Sequence, residues 1–340
     1  EPLQNVDNLA ALRKARAPKA EVLAFIKQDI QRSLDLFNGN ENFYRDNVYW
    51  SKRATLILKG DVFLWSGKVL GGGTADFTEA KNALSQVSGS LVSYDKLWGI
   101  DNEKNAEFIF ALDYKKDEAE HFYKVTTARN TDVKDMYDDS GRKISSFLYV
   151  EGGNYHSPSE KTLRLLDDIK DQRRATFVRV YSDNAGHIPF NTTNYLGSIL
   201  SKFVGKNNSG DIVNENNVPI YRYADVLLLL AEAKNNLGED PSAEINQVRA
   251  RAYGSNYNAA TYGYTNSTKA INAKAILDER YKEFIGEGKR WWDLLRAGDN
   301  FVYDEVASMT SGGTRKNIYL PISPSMIADD KTLVQTEGYN

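Results

Sequence analysis

The chain has 340 residues, 41% hydrophobic and 26% charged, with a formal net charge of −3. That is globular composition at a length suiting one large domain or two small ones, and it offers no basic field for nucleic acid. Cysteine is absent, which excludes disulfides, thiol catalysis and thiolate metal sites, and no run approaches the roughly 18 apolar residues of a membrane span.

Tyrosine dominates the aromatic residues, with 20 copies. Each joins a flat apolar face to a polar tip, which suits wet surfaces that hold polar ligands, although core packing is the commoner use of any one of them. The first residues, "EPLQNVDNLAAL", carry neither an initiator methionine nor a signal peptide and read as the middle of a longer protein.

A helix is expected after Pro18, over "KAEVLAFIKQDIQRSLDLF", where Val22, Phe25, Ile26, Ile30, Leu34 and Phe37 fall at helical spacing. A second follows from Trp50, with Ala54, Ile57, Leu58, Val62 and Leu64–Trp65 on its apolar side, and the glycines at 71–73 stop it. A third, "TADFTEAKNALSQV", is expected to be capped by Thr74 or Asp76 and to bury Phe77, Ala80, Leu84 and Val87. Three amphipathic helices with short connections predict antiparallel helix pairs.

"AEFIFALDY" (106–114) alternates like a short strand. From about 115 to 215 the chain is polar and punctuated, with one short helix, "SEKTLRLLDDIKD". So much irregular chain in one domain points to binding loops. Helix returns over 218–238, "VPIYRYADVLLLLAEAKNNLG", with Gly238 as its C-cap, and Pro241 opens the next, "SAEINQVRARAY". A tyrosine-rich loop (254–269) and a long helical stretch through residue 298 follow, and the tail is extended.

That last stretch holds "ERYKEFIGEGKRWWDLLRAGD". Glu279, Glu283 and Glu287 share one helix face, whereas glycosidases need two carboxyls facing each other across a bond, roughly 5–9.5 Å apart. The expected partners lie on the same helix: Arg280 with Glu283 or Glu287, Arg290 with Glu287 or Asp293, and Lys289 or Arg296 with Asp293. Gly286 and Gly288 predict a kink or break. Of Trp291 and Trp292, one is expected to pack inward and the other to cover a neighbouring element.

No catalytic constellation emerges. His121, His156 and His187 are 35 and 31 residues apart, without metal-ligand spacing. No serine stands in a G-x-S-x-G context, and "GGGTADF" lacks the phosphate-loop lysine. No metal or cofactor is expected. Sugar recognition fits better: aromatic rings stack on a pyranose face while amides, acids and bases bind its hydroxyls. Candidates are His121, Phe122, Tyr123, Arg129 and Asn130; Tyr149, Asn154, Tyr155 and His156; and Phe190, Asn191, Asn194 and Tyr195. Tyr257, Tyr262 and Tyr264 form a weaker group.

The stretch 276–299 also resembles the C-terminal signature of the SusD/RagB family, through Glu279, Arg280, Glu283, Phe284, Glu287, Gly288, Arg290, Trp291, Asp293, Leu294 and Arg296. "NEKNAEFIFALDY", "DDIKDQRRATFV", "YRYADVLLLLAEAKNNLG", "INQVRARAY" and "IYLPISPSMIADDKTLVQTEGY" resemble further family landmarks in order, with Thr336-Glu337 in place of the usual Asn-Pro. The resemblance implies a mainly α fold of tetratricopeptide-like helix pairs with long loops and a few short strands. It implies a single domain over 1–340, with a helical part to 112, a loop-rich ligand-binding part over 113–217 and a helical part from 218. It further implies a non-catalytic, lipid-anchored protein exposed on the outer membrane of Bacteroidetes, which passes oligosaccharide to a TonB-dependent transporter of the SusC type. A peptide ligand of the RagB kind is the alternative. A lipid-bearing cysteine and first helices are expected upstream of "EPLQN". The resemblance singles out no ligand contact.

Overall fold

A computed structural model of the chain describes residues 13–115, 118, 127–150, 152–153, 157–186, 193–208, 211–311, 314–315 and 317–339. Helix α1 (Lys19–Phe37) has the expected span, but only Ile30 of its apolar stripe is buried; Val22, Phe25 and Ile26 are exposed. Helix α2 (Lys52–Val69) starts at Ser51, whose hydroxyl accepts from the Ala54 N–H at 3.2 Å. Helix α3 (Gly73–Leu84) lacks the expected side-chain cap. Asp76 is drawn away instead, taking the Lys27 ammonium at 2.8 Å and the Ser66 hydroxyl, so it ties α3 to α1 and α2.

Two glycines let α2 and α3 meet. A Cβ on Gly60 would lie 2.5 Å from Leu84, and one on Gly67 would lie 2.5 Å from the Phe77 ring. The early glycine faces the end of α3 and the late one faces its beginning, so the pair is antiparallel, as expected. Gly67→Ala must displace a buried ring in a close-packed core, and about 1–3 kcal/mol of stability should be lost. Urea titration of the variant reads this directly.

Strand β1 (Phe108–Leu112) forms as expected. Among the described residues, the middle of the chain holds more regular structure than its polar composition suggests. It holds helices α4 (Asn130–Val133) and α5 (Glu160–Leu165), a hairpin of β2 (Phe177–Tyr181) with β3 (Tyr195–Leu200), and the short pair β4 (Lys206–Asn208) with β5 (Asp211–Val213). The "FVRVY" of β2 is β-branched and aromatic, and this local signal outweighs the polar flanks.

The helix expected from Val218 starts five residues later. Val218–Arg222 is strand β6, antiparallel to β1 with Leu112 opposite Val218 and Phe108 opposite Arg222. The helix N-terminus is then closed by Asp225, which accepts from the Arg222 N–H at 3.1 Å. Helix α6 (Tyr223–Leu237) is buried along most of its length and ends at Gly238, φ 78°. Helices α7 (Ser242–Tyr253), α8 (Ala259–Tyr262) and α9 (Lys269–Phe284) follow. The break predicted at the two glycines is present: Gly286 and Gly288 have φ of 82° and 74°, and α10 (Arg290–Ala297) starts beyond them. Helices α11 (Asp299–Glu305) and α12 (Pro324–Asp329) complete a mainly helical fold. One apolar cluster joins Ile57, Leu64, Phe77, Leu84, Ile109 and Leu229, and so binds α2, α3, β1 and α6.

Candidate functional site

The acidic face of α9 points inward, and its partners come from elsewhere in the chain. Arg222, at the junction of β6 and α6, has no solvent exposure. Its Nη1 donates to Glu107 Oε1 and to Glu283 Oε1, both at 2.7 Å, and its Nε donates to Glu287 Oε2 at 2.9 Å. From α7, Arg251 reaches Glu107 at 2.9 Å and also Glu283. Arg173 binds Glu279 at 2.6 Å and Asp171 at 2.7 Å, and Arg249 takes the second Glu279 oxygen at 2.8 Å. Lys202 donates to Glu287 at 2.9 Å and to the Glu283 carbonyl at 2.8 Å. Five carboxylates (Glu107, Asp171, Glu279, Glu283, Glu287) thus meet five cations (Arg173, Lys202, Arg222, Arg249, Arg251).

The expectation of a self-paired helix is therefore corrected. Among the expected intrahelical pairs, Arg296 with Asp293 at 2.9 Å forms. Arg280 instead binds Asp293 at 2.9 Å, and Arg290 binds Glu305 at 3.1 Å. The reason is burial. Charges on an inward face lose their water and need partners at hydrogen-bond geometry from several directions, which a single helix cannot supply. Trp291 is half-buried against Leu294 and its neighbours. Trp292 stays 57% exposed and meets Trp65 of α2 edge-on, with centroids 6.3 Å apart.

The cluster's electrostatics do not suit acid–base chemistry. Burial alone pushes Glu283 up, but Arg251, Arg222 and Arg173 outweigh it and hold the carboxyl well below the usual range. Glu287, with Arg222 and Lys202 beside it, is held at about 2 in spite of the same desolvation. Burial lowers Lys202 to about 8, with Glu287 opposing. A general acid for glycosidic cleavage needs a carboxyl whose pKa is raised, and these two are depressed and packed on cations. Among the described residues no group of three metal-ligating side chains comes together.

Two concave spaces flank this frame. One, about 420 Å³, lies between α2, β6 and α10, with Asp61, Trp65, Pro219, Leu229 and Trp292 on its walls. The other, about 450 Å³, is lined by Thr162, Phe177, Leu200, Tyr281, Ile285 and Trp291. Both have the size of small-ligand pockets.

Of the loop residues singled out for sugar binding, His121, Phe122, Tyr123, Asn154, Tyr155, His156, Phe190 and Asn191 lie outside the described residues. Arg129 and Asn130 are exposed at the start of α4, and Tyr149 is half-buried nearby. The Gly152 N–H donates to the Ala128 carbonyl at 2.9 Å, so these two segments run together. They share an apolar cluster with β2 and β3 through Ala128, Leu148, Val150, Val180 and Ile199. On that hairpin, Asn194 donates to Asp183, and the Tyr195 hydroxyl lies 2.8 Å from Ser198 Oγ. The tyrosine loop is partly spent on packing: Tyr262 stacks on Tyr253 at 3.8 Å, and the Tyr264 hydroxyl donates to Asn272 at 2.6 Å.

Sequence reasoning missed Arg173, Arg222 and Arg251 as partners of the α9 acids, and Glu107 as a further acid held by Arg222 and Arg251. Their signal was present. Each lies in one of the separate stretches that carry the family resemblance, "NAEF", "DQRR", "YRYAD" and "VRARA".

A family model described as the SusD family matches residues 78–339. Among solved structures, B. fragilis NanU superposes with a TM-score of 0.84 at 34% identity, covering 96% of this chain and 71% of that one. The starch-binding protein SusD of Bacteroides thetaiotaomicron is 28% identical over 131 residues, 37% of this chain and 22% of that protein. Surface glycan-binding protein A of B. thetaiotaomicron, solved in complex with laminarihexaose, shares the fold at 18% identity, with a TM-score of 0.63 over 94% of this chain and 71% of that one. The chain spans less than half the length of the curated relatives it matches. On the family match over most of its length, the chain belongs to the SusD family.

Proposed function

We propose that this chain belongs to a non-catalytic, cell-surface glycan-binding protein. The protein holds oligosaccharide and passes it to a TonB-dependent transporter of the SusC type, and a lipid anchors it to the outer membrane. Family membership carries this reading, with one physical observation beside it: the acids of the signature helix are locked in a buried, charge-balanced frame, so they hold geometry rather than cleave. A relative named as starch-binding and a fold neighbour solved with laminarihexaose support a glycan as the ligand. In this reading the section over 113–217 supplies contacts from loops, mounted on the helical frame on either side.

Native affinity electrophoresis through gels containing starch, laminarin, xylan or galactomannan tests the ligand. Retardation by at least one polysaccharide is expected, with no release of reducing sugar. Binding to a peptide library with no retardation in any gel would favour a peptide ligand instead. Co-purification of a TonB-dependent transporter with the tagged protein from its own membranes tests the partner.

A further inference from the structure

Between α1 and α2 the chain runs through "NENFYRDNVYW", residues 40–50, with four aromatic residues among polar ones. The loop is pinned. Asn47 donates to the Glu103 carbonyl at 2.8 Å and its own carbonyl accepts from the Ala111 N–H at 2.9 Å. Trp50 Nε1 donates to Thr55 at 2.8 Å, and its ring meets Phe110 edge-on at 4.9 Å. Phe43 lies under the Arg53 guanidinium, 4.1 Å away, and Asp46 is paired with Lys104 at 2.9 Å.

On the pinned loop two tyrosine rings stand together at the surface. Tyr44 is 73% exposed and Tyr49 is 38% exposed, and they stand edge to face with centroids 5.4 Å apart. The exposed Arg45 side chain lies beside both, its guanidinium carbon 5.3 Å from one centroid and 5.9 Å from the other. Among the described residues that guanidinium makes no hydrogen bond and no ion pair, so its donors are free for a ligand. Through Asn47 and Ala111 the loop also borders the end of β1, where the loop-rich middle section begins.

We infer that Tyr44, Tyr49 and Arg45 form a carbohydrate platform. The two rings stack on the apolar faces of one or two pyranose units, and Arg45 donates to their hydroxyl and ring oxygens. An apolar face with a polar tip, held still and set beside unused donors, matches a sugar ring, which alternates C–H faces with oxygen acceptors. Anchoring the loop before binding reduces the ordering cost that a mobile loop would carry. The inference rests on the glycan reading above and adds a sugar contact outside the 113–217 loops.

The test uses the full chain and the polysaccharide that retards it in the gels, followed by calorimetry with oligosaccharides of that polymer. The double variant Tyr44→Ala/Tyr49→Ala should lose about tenfold or more in affinity. Arg45→Ala should lose several-fold, and Tyr44→Phe should keep most of the binding. Because these side chains face solvent, the thermal midpoints should match the wild type. Wild-type affinity in the double variant would overturn the platform and leave the glycan reading standing. A wild-type protein that no polysaccharide retards would overturn the reading and the platform together.

Discussion

Replacing Arg222 by methionine should lower the unfolding free energy by about 3–5 kcal/mol, the usual cost of removing one partner from a buried ion cluster. Methionine fills much of the arginine stem's volume, so the loss reports charge rather than a cavity. Arg222 is fully buried and bridges three carboxylates, from Glu107, Glu283 and Glu287. Without it, Glu107 keeps Arg251, Glu283 keeps Arg251 and Arg173, and Glu287 keeps Lys202. Three desolvated acids would then share fewer cations, and the five-to-five balance would become five to four. Urea unfolding at pH 7, followed by circular dichroism, measures the change. A loss below about 1 kcal/mol would mean that the cluster does not depend on this arginine, because surface ion pairs are worth no more than that.

Acid should unfold the protein through the same cluster. Glu287 has a folded pKa of about 2 against an ordinary value of 4.5, and Glu283 is displaced in the same direction. The sign follows from proton binding. Between about pH 4.5 and 2 the unfolded chain binds protons at these positions and the folded chain does not, so stability falls as pH falls through that window. Above pH 4.5 the full contribution is present. For Glu287 alone the shift corresponds to about 3 kcal/mol. Thermal midpoints measured from pH 7 to 3 should hold nearly level to about pH 5 and then fall. The Glu287→Gln variant should be less stable at pH 7 and show a shallower acid decline. An equally steep decline in that variant would move the effect to other carboxylates.

The helices are largely legible in the amino-acid sequence. The apolar spacing of α1, α2 and α3 is local, as are Gly238 at the end of α6 and Pro241 before α7, so neighbouring residues suffice to specify them. The break at Gly286 and Gly288 is legible for the same reason, since only glycine adopts those backbone angles freely. Errors appear where a distant strand competes with local propensity. Val218–Arg222 is extended because β1 offers it hydrogen bonds, and nothing near Val218 in sequence announces β1.

The candidate site divides in the same way. That these acids serve the scaffold is readable in part: the i, i+4 spacing of Glu279 and Glu283 puts both on one face of α9, whereas Glu287, expected on the same face, stands beyond the helix at the glycine break. Which cations satisfy them is not readable, because Arg173, Arg222 and Arg251 are from 32 to 110 residues from those of these acids that they bind. Helical periodicity says which side of an element faces inward and is silent on what waits there. For Tyr44 and Tyr49 the composition shows only an aromatic loop. Their exposure, and the freedom of Arg45 beside them, arise because Asn47 and Trp50 tie the loop to β1 and α2 while Asp46 is taken by Lys104. Local chemistry thus chose the helices and their ends, while desolvation and long-range pairing chose the partners of the buried charges and the rings left facing solvent.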